Sequence, residues 1–360
     1  MGGASSGSRS RNAKPPPAGW AGEGFEAKRC LALAALPRPA KEQAGEKGQR
    51  DPGVRHDGRI IGGPRPEVKS GLRSPRRTPR RCVARCGRRG SFGRVPIQRT
   101  TGFAESDGER IYWESVGAGE PALVLCHGAG GNHAVWFQQT PLFARYRRVL
   151  SWDQRGFGRS TARGGPTRPE LAVRDLAAVL GAAGASGSFD LVGQSIGGWT
   201  ALGFALAEPA RVRRLVLADT PGGIMTAELV AALRAFGGAP AAADALGVHP
   251  ALGASLVARD PARAYLYQML GAFGEPELAK VAPALFGTIV ADEELAALAG
   301  RVLFVVGAED TLFPPAAIRA SAAKVPDARV VEIADAGHSP YFEQPEAWNR
   351  AVAEFLEIEV

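Results

Sequence analysis

Phe189-Asp190-Leu191-Val192-Gly193-Gln194-Ser195-Ile196-Gly197-Gly198 runs from an apolar segment onto a serine set between glycines. Phe189, Leu191 and Val192 have the character of a buried strand. Ile196, Trp199, Leu202 and Phe204 have that of the helix that follows. Ser195 therefore falls on the turn between them, in a Gly-x-Ser-x-Gly arrangement that presents a hydroxyl at a strand-to-helix corner. The corner strains the serine backbone, and a side chain at position 193 or 197 would crowd strand and helix. A chain with 46 glycines produces this spacing by chance. The strand before it and the helix after it give the motif its weight.

The surroundings agree with a strand at Phe189–Val192. From about Thr100, Gly102–Glu105 and Arg110–Val116 read as a hairpin around Ser106-Asp107-Gly108-Glu109. Apolar runs then recur at Ala122–Cys126, Arg148–Trp152, Arg214–Ala218, Val302–Val306 and Val330–Ile333. Helical periods separate them, such as Pro169–Leu180 with Val173, Leu176 and Leu180 on one face, and a last helix carrying Trp348, Val352, Phe355 and Leu356. This alternation predicts an α/β fold with a mostly parallel, doubly wound sheet. Ala-rich and aromatic sequence at about 222–297 breaks the rhythm and predicts a helical cap inserted after the Arg214–Ala218 strand.

Charge divides the chain. Residues 1–99 hold 23 Lys or Arg against 7 Asp or Glu, a net of +16. The totals of 44 and 36 leave 21 basic and 29 acidic residues for 100–360, a net of −8. The first 99 residues are rich in Gly, Pro, Ser and Arg without a sustained period, which predicts disorder. After Met1 the next methionine is Met225. We expect translation to begin near Val95, with the basic segment a miscalled extension; a native mass near 37.7 kDa would refute this. The basic tail is not expected to bind a specific nucleic acid, although its arginines attract polyanions non-specifically. Of the four cysteines only Cys126 lies in 100–360, so no disulfide forms there, in keeping with a cytoplasmic location. Cys82 and Cys86 lack further ligands for zinc, so no metal is expected. No run approaches the ~18 apolar residues of a membrane span.

A serine hydroxyl is a weak nucleophile until a base, itself oriented by a carboxylate, withdraws its proton. Among His56, His127, His133, His249 and His338, the last stands just beyond a strand in Asp335-Ala336-Gly337-His338-Ser339-Pro340. That position lies at the carboxyl edge of the sheet, where open α/β proteins gather their sites. Gly307-Ala308-Glu309-Asp310 ends the Val302–Val306 strand and supplies Asp310 as the carboxylate, with Glu309 and Asp219 as rivals. The backbone N–H groups of Ile196 and of Ala129, in His127-Gly128-Ala129-Gly130-Gly131-Asn132, are the expected oxyanion donors. His127 is expected to brace that loop.

In His127-Gly128, Asp153-Gln154-Arg155-Gly156-Phe157-Gly158-Arg159-Ser160, Gly193–Gly198, Gly307–Asp310 and Gly337-His338, residues 100–360 resemble the α/β-hydrolase superfamily throughout. The resemblance implies a serine hydrolase without metal or organic cofactor, and a structural role for Arg155 and Arg159. Serine at 195 departs from the dehalogenases and epoxide hydrolases, and Ile196 departs from the prolyl aminopeptidases.

For the substrate pocket we expect Trp136, Tyr265, Tyr267, Met269 and Phe273, with Trp199 packed beneath the site. Within 221–300 the cations Arg234, Arg259, Arg263 and Lys280 form no cluster to clamp a phosphate or dicarboxylate. A small, mainly apolar ester, thioester or lactone is therefore the expected substrate. Carbon–carbon bond hydrolysis or a lyase step with the same triad is the alternative, and a non-catalytic ligand-binding protein the third reading. Oligomeric state is not written in the sequence.

Overall fold

The computed structural model describes residues 98–238, 251–272 and 278–360. The basic segment up to residue 97, the expected start near Val95 and Phe273 lie outside the described residues.

Among the described residues eight strands form one sheet: β1 Arg99–Ser106, β2 Glu109–Val116, β3 Ala122–Cys126, β4 Val149–Trp152, β5 Phe189–Gln194, β6 Val212–Ala218, β7 Val302–Gly307 and β8 Arg329–Ile333. Their order is β1-β2-β4-β3-β5-β6-β7-β8. β1 pairs antiparallel with β2, and β2 antiparallel with β4; every other pairing is parallel. The described helices of eight residues or more, with one shorter helix, are α1 Pro169–Ala182, α2 Ile196–Ala207, α3 Ala227–Gly238, α4 Ala254–Arg259, α5 Pro261–Gly271, α6 Leu278–Gly287, α7 Pro315–Ala322 and α8 Pro345–Leu356. α3 to α6 fall between β6 and β7.

The sheet is covered on both faces because its central strands present apolar side chains to both of them. Val124, Leu191, Leu215 and Phe304 join one buried cluster with Leu176 of α1, Leu202 of α2 and Ile318 of α7. Their chain neighbours Leu125, Val192, Val216 and Val305 join the other, with Trp348 and Val352 of α8. Alternate side chains of a strand point to opposite faces, so an unbroken apolar run such as Leu215–Ala218 feeds both layers. The β1–β2 hairpin is instead antiparallel at the edge, and β1 begins with three exposed residues. Among the described residues no helix is long and apolar enough to cross a membrane.

The interior stays tied together where polar groups enter it. Arg155 forms a two-point ion pair with Asp175 at 2.9 and 2.6 Å, both buried, which fixes the loop after β4 against α1. Asp190 in β5 accepts from Arg213 at 2.9 and 2.6 Å and also pairs with Arg147. Buried charges persist where such bidentate partners satisfy them.

Candidate active site

Ser195 stands between β5 and α2 with φ 50° and ψ −121°, a left-handed backbone that a non-glycine residue adopts only under constraint. The neighbours impose it. A Cβ on Gly193 would lie 2.4 Å from the Gly197 carbonyl oxygen, and one on Gly197 would lie 2.4 Å from that of Cys126. Glycine at both positions lets strand, helix and β3 meet without a gap. Ser195 N–H donates to the Ala218 carbonyl at 3.0 Å, so the β5–β6 ladder runs up to the corner itself.

Three loops converge on this corner. After β3, a Cβ on Gly128 would fall 2.9 Å from Ser195 Cβ, which places the His127–Gly131 loop directly against the serine. Ala129 is the next residue, half-buried; Ile196, the first residue of α2, is buried. After β8, the carbonyl of His338 accepts from Gln194 Nε2 at 2.9 Å, so the residue before the serine also carries the histidine loop. After β7, Asp310 Oδ2 lies 2.8 Å from His338 Nδ1. The other oxygen of Asp310 accepts from the Leu312 and Phe313 N–H groups at 2.8 and 3.0 Å. His338 Nε2 is buried and has no hydrogen-bond partner among the described residues. An imidazole held at Nδ1 and open at Nε2 has the form needed to take a proton from a hydroxyl.

His127 has a different environment. Its Nδ1 bonds the Gly128 carbonyl at 2.7 Å and its Nε2 accepts from Gln154 N–H at 2.9 Å, so both ring nitrogens are committed. Burial lowers its pKa to about 4, with Asp153 opposing. It is a neutral strut between the loops after β3 and β4.

Carboxylates fasten the remaining backbone. Glu343 is buried; its oxygens accept from the N–H groups of Gly337 at 3.0 Å, Ser339 at 3.1 Å and Gly253 at 2.8 Å. Burial, against these bonds, raises its pKa. Glu309 accepts from Ser255 N–H at 3.0 Å and from its hydroxyl. Tyr267 of α5 meets Ser339 through their hydroxyls at 2.8 Å, and Asn132 donates to the Leu270 carbonyl at 2.9 Å. None of these roles is evident from the sequence, because no motif marks the residues involved and the contacts to Gly253, Ser255, Tyr267 and Leu270 each span more than 50 residues.

The expected pocket residues separate. Tyr267 reaches the His338 loop, and Met269 is half-buried on the same helix. Tyr265 is 59% exposed and faces solvent, contrary to expectation, because residues two apart on a helix point to different sides. Trp136 does not line the entrance. It is fully buried, with Tyr341 and Trp348 rings at 4.6 and 6.1 Å, because the short 3₁₀ turn His133–Trp136 turns it inward over the sheet. Trp199 lies beneath Phe313 and Phe286, at 6.2 and 5.9 Å between ring centres.

Known proteins share this architecture. The family model described as "Alpha/beta hydrolase family" matches residues 123–351. A putative carbamate hydrolase RutD of Azorhizobium caulinodans is 37% identical over 117 residues, 32% of this chain and 43% of that protein. A 2-hydroxy-6-oxo-2,4-heptadienoate hydrolase of Pseudomonas putida is 41% identical over 111 residues, 30% of this chain and 40% of that one. Both alignments thus span less than half of the relative. The solved structure of a thermophilic esterase from Thermogutta terrifontis superposes with a TM-score of 0.60 at 28% identity, over 72% of this chain and 98% of the esterase. With the family match covering most of the eight-stranded domain and hydrolases on every side of it, the chain belongs to the α/β hydrolase family and is a hydrolase.

Proposed function

We propose that the protein is a serine hydrolase that cleaves a small, mainly apolar ester, thioester or lactone through an acyl-enzyme. The observation that carries this reading is the His338–Asp310 pair: Nδ1 is bonded to a buried carboxylate at 2.8 Å, Nε2 has no partner among the described residues, and the His338 carbonyl is tied to Gln194 beside Ser195. In this scheme Ser195 Oγ bonds to the acyl carbon as its proton passes to His338 Nε2. Asp310 holds the ring and stabilises the imidazolium. Collapse of the tetrahedral intermediate breaks the bond to the leaving group, which takes the proton from His338. Water then repeats the sequence and releases the acid. The N–H groups of Ile196 and Ala129 receive the oxyanion, and the start of α2 adds its positive end. One such donor contributes about 3 kcal/mol to transition-state binding.

The substrate class rests on the apolar side chains of the helical insertion, which we read as a cap, and on its cations. Arg263 is engaged by the Gln138 side chain and Arg259 by the Glu343 carbonyl, at 3.3 Å; Arg234 is exposed. A second reading, carbon–carbon bond hydrolysis of a dienoate by the same residues, is favoured by the likeness to the Pseudomonas putida hydrolase. The protein is expected to act without metal or organic cofactor and as a cytoplasmic enzyme.

Labelling with a fluorophosphonate, read by intact mass beside Ser195→Ala, tests the reading. One adduct on the wild type and none on the variant is the expected result. No adduct on the folded wild type would refute it. Turnover of a ring-cleavage dienoate, with none of simple esters or lactones, would move the assignment to the second reading.

A further inference from the structure

Asp219, the first residue after β6, is fully buried and takes a left-handed backbone with φ 50°. Its Oδ1 accepts from Gly307 N–H at 2.9 Å. Its Oδ2 has no hydrogen-bond partner among the described residues. One ligand atom each of Asp219, Asp310 and His338 lie within 4.8 Å of one another. A tie from β6 to the end of β7 explains only the first oxygen. An asparagine would make that tie without burying an ionisable group, so a structural account leaves the second oxygen unexplained.

We propose that Asp219 is a reserve acid for His338, a positioning residue able to receive the Nδ1–H when the Asp310 carboxylate is missing. The role rests on the serine hydrolase reading above. Two carboxyls so close to one imidazole do not both ionise readily. Burial first, and then the Asp310 charge, hold Asp219 well above the ordinary carboxyl range, which favours its protonated form in the intact protein and leaves His338 to Asp310. Removing Asp310 removes that repulsion. With that repulsion gone, the imidazolium that forms on His338 favours the ionised form of Asp219, which is then the carboxylate within reach of the ring.

The test compares full-length wild type, Asp219→Asn, Asp310→Asn and the double variant, with a parallel Asp310→Ala pair in case the asparagine misfolds. Fluorophosphonate labelling rates are measured by intact mass, after circular dichroism has verified folding. A triad stripped of its acid loses about 10⁴-fold. Asp310→Asn is expected to lose clearly less, and adding Asp219→Asn to bring the loss to that level. Asp219→Asn should thus cost more in the Asp310→Asn background than in the wild type, a non-additivity that reports direct coupling. Proton NMR supplies a second readout: a far-downfield imidazole N–H bonded to carboxylate persists in Asp310→Asn and vanishes in the double variant. Equal labelling by Asp310→Asn and the double variant, or loss of the resonance in Asp310→Asn alone, overturns the proposal. A wild type that does not label at Ser195 refutes the hydrolase mechanism instead, and the resonance still judges the acid.

Discussion

Both halves of the helical insertion bury apolar side chains, Leu256 of α4 and Ala264 of α5 in the cluster that includes α8, but α4 and α5 add polar ties to the site loops. α4 and α5 meet the loops after β3, β7 and β8 through directed polar contacts: Leu270 with Asn132, Ser255 with Glu309, Gly253 with Glu343 and Tyr267 with Ser339. α3 and α6 contribute Leu229, Val281 and Leu285 to the apolar cluster that includes α2 and α7. Apolar burial stabilises without demanding one orientation, whereas a hydrogen bond fixes distance and angle. The first half is therefore built into the geometry of the site. The second contributes apolar burial, and substitutions within it are expected to leave that geometry alone.

The strongest way to break this contrast is Glu343→Ala. Three buried N–H groups lose their acceptor, at a cost of about 1–3 kcal/mol for each one left unsatisfied. We expect a large fall in Tm together with a fall in kcat, because two of the three belong to the His338 loop. A lowered Tm with unchanged kcat would mean that the loop holds its place alone. The same residue sets a pH slope. Its folded pKa is raised, mainly by burial, so its contribution is full below the ordinary glutamate value and is lost as pH rises through the folded value. Glu343→Ala should flatten that decline in a plot of Tm against pH.

Leu229→Ala probes the other half. Emptying a fully buried leucine site costs about 2–5 kcal/mol. Denaturant unfolding should show that loss while kcat on a short-chain ester stays near the wild-type value. A parallel collapse of kcat would erase the distinction between the halves.

Tyr267→Phe gives the smallest effect and sharpens the comparison most. It removes the hydroxyl facing Ser339 while keeping the ring, which packs edge-on to Phe342 at 5.0 Å. Stability should fall by about 1 kcal/mol. Steady-state kinetics should place the deficit in kcat more than in KM if the contact steadies the His338 loop. A change confined to KM would assign the residue to substrate contact.

The sequence shows the sheet clearly because its strands are short apolar runs bounded by glycine, proline or charge. The expected and observed strands differ by a few residues at their ends, as with Gly102–Glu105, which extends to Arg99–Ser106. The corner at Ser195 was legible because its glycines flank the serine at fixed spacing, although Gly197 is demanded by the backbone of Cys126 on a distant strand. Position 310 could be placed at the end of β7 by counting along the strand. The polar fastenings were not legible. Glu343 looks like one more surface glutamate at the start of a helix, and only the folded chain brings Gly253 to it across 90 residues. Trp136 and Tyr265 misled for a related reason. Aromatic character marks burial in general, but the sense in which a turn or helix points its side chains decides which surface they bury.

Gly253 and Gly337 face each other without room for a side chain on either. A Cβ on the first would come within 2.7 Å of the other's nitrogen, and one on the second within 2.3 Å of Gly253 nitrogen. This back-to-back seam limits how such an enzyme can be diversified. An insertion borrowed from another hydrolase can differ freely in the apolar helices, but it must bring glycine to the seam. New specificities can thus be grafted onto this scaffold with the exchange junctions placed outside residues 252–255.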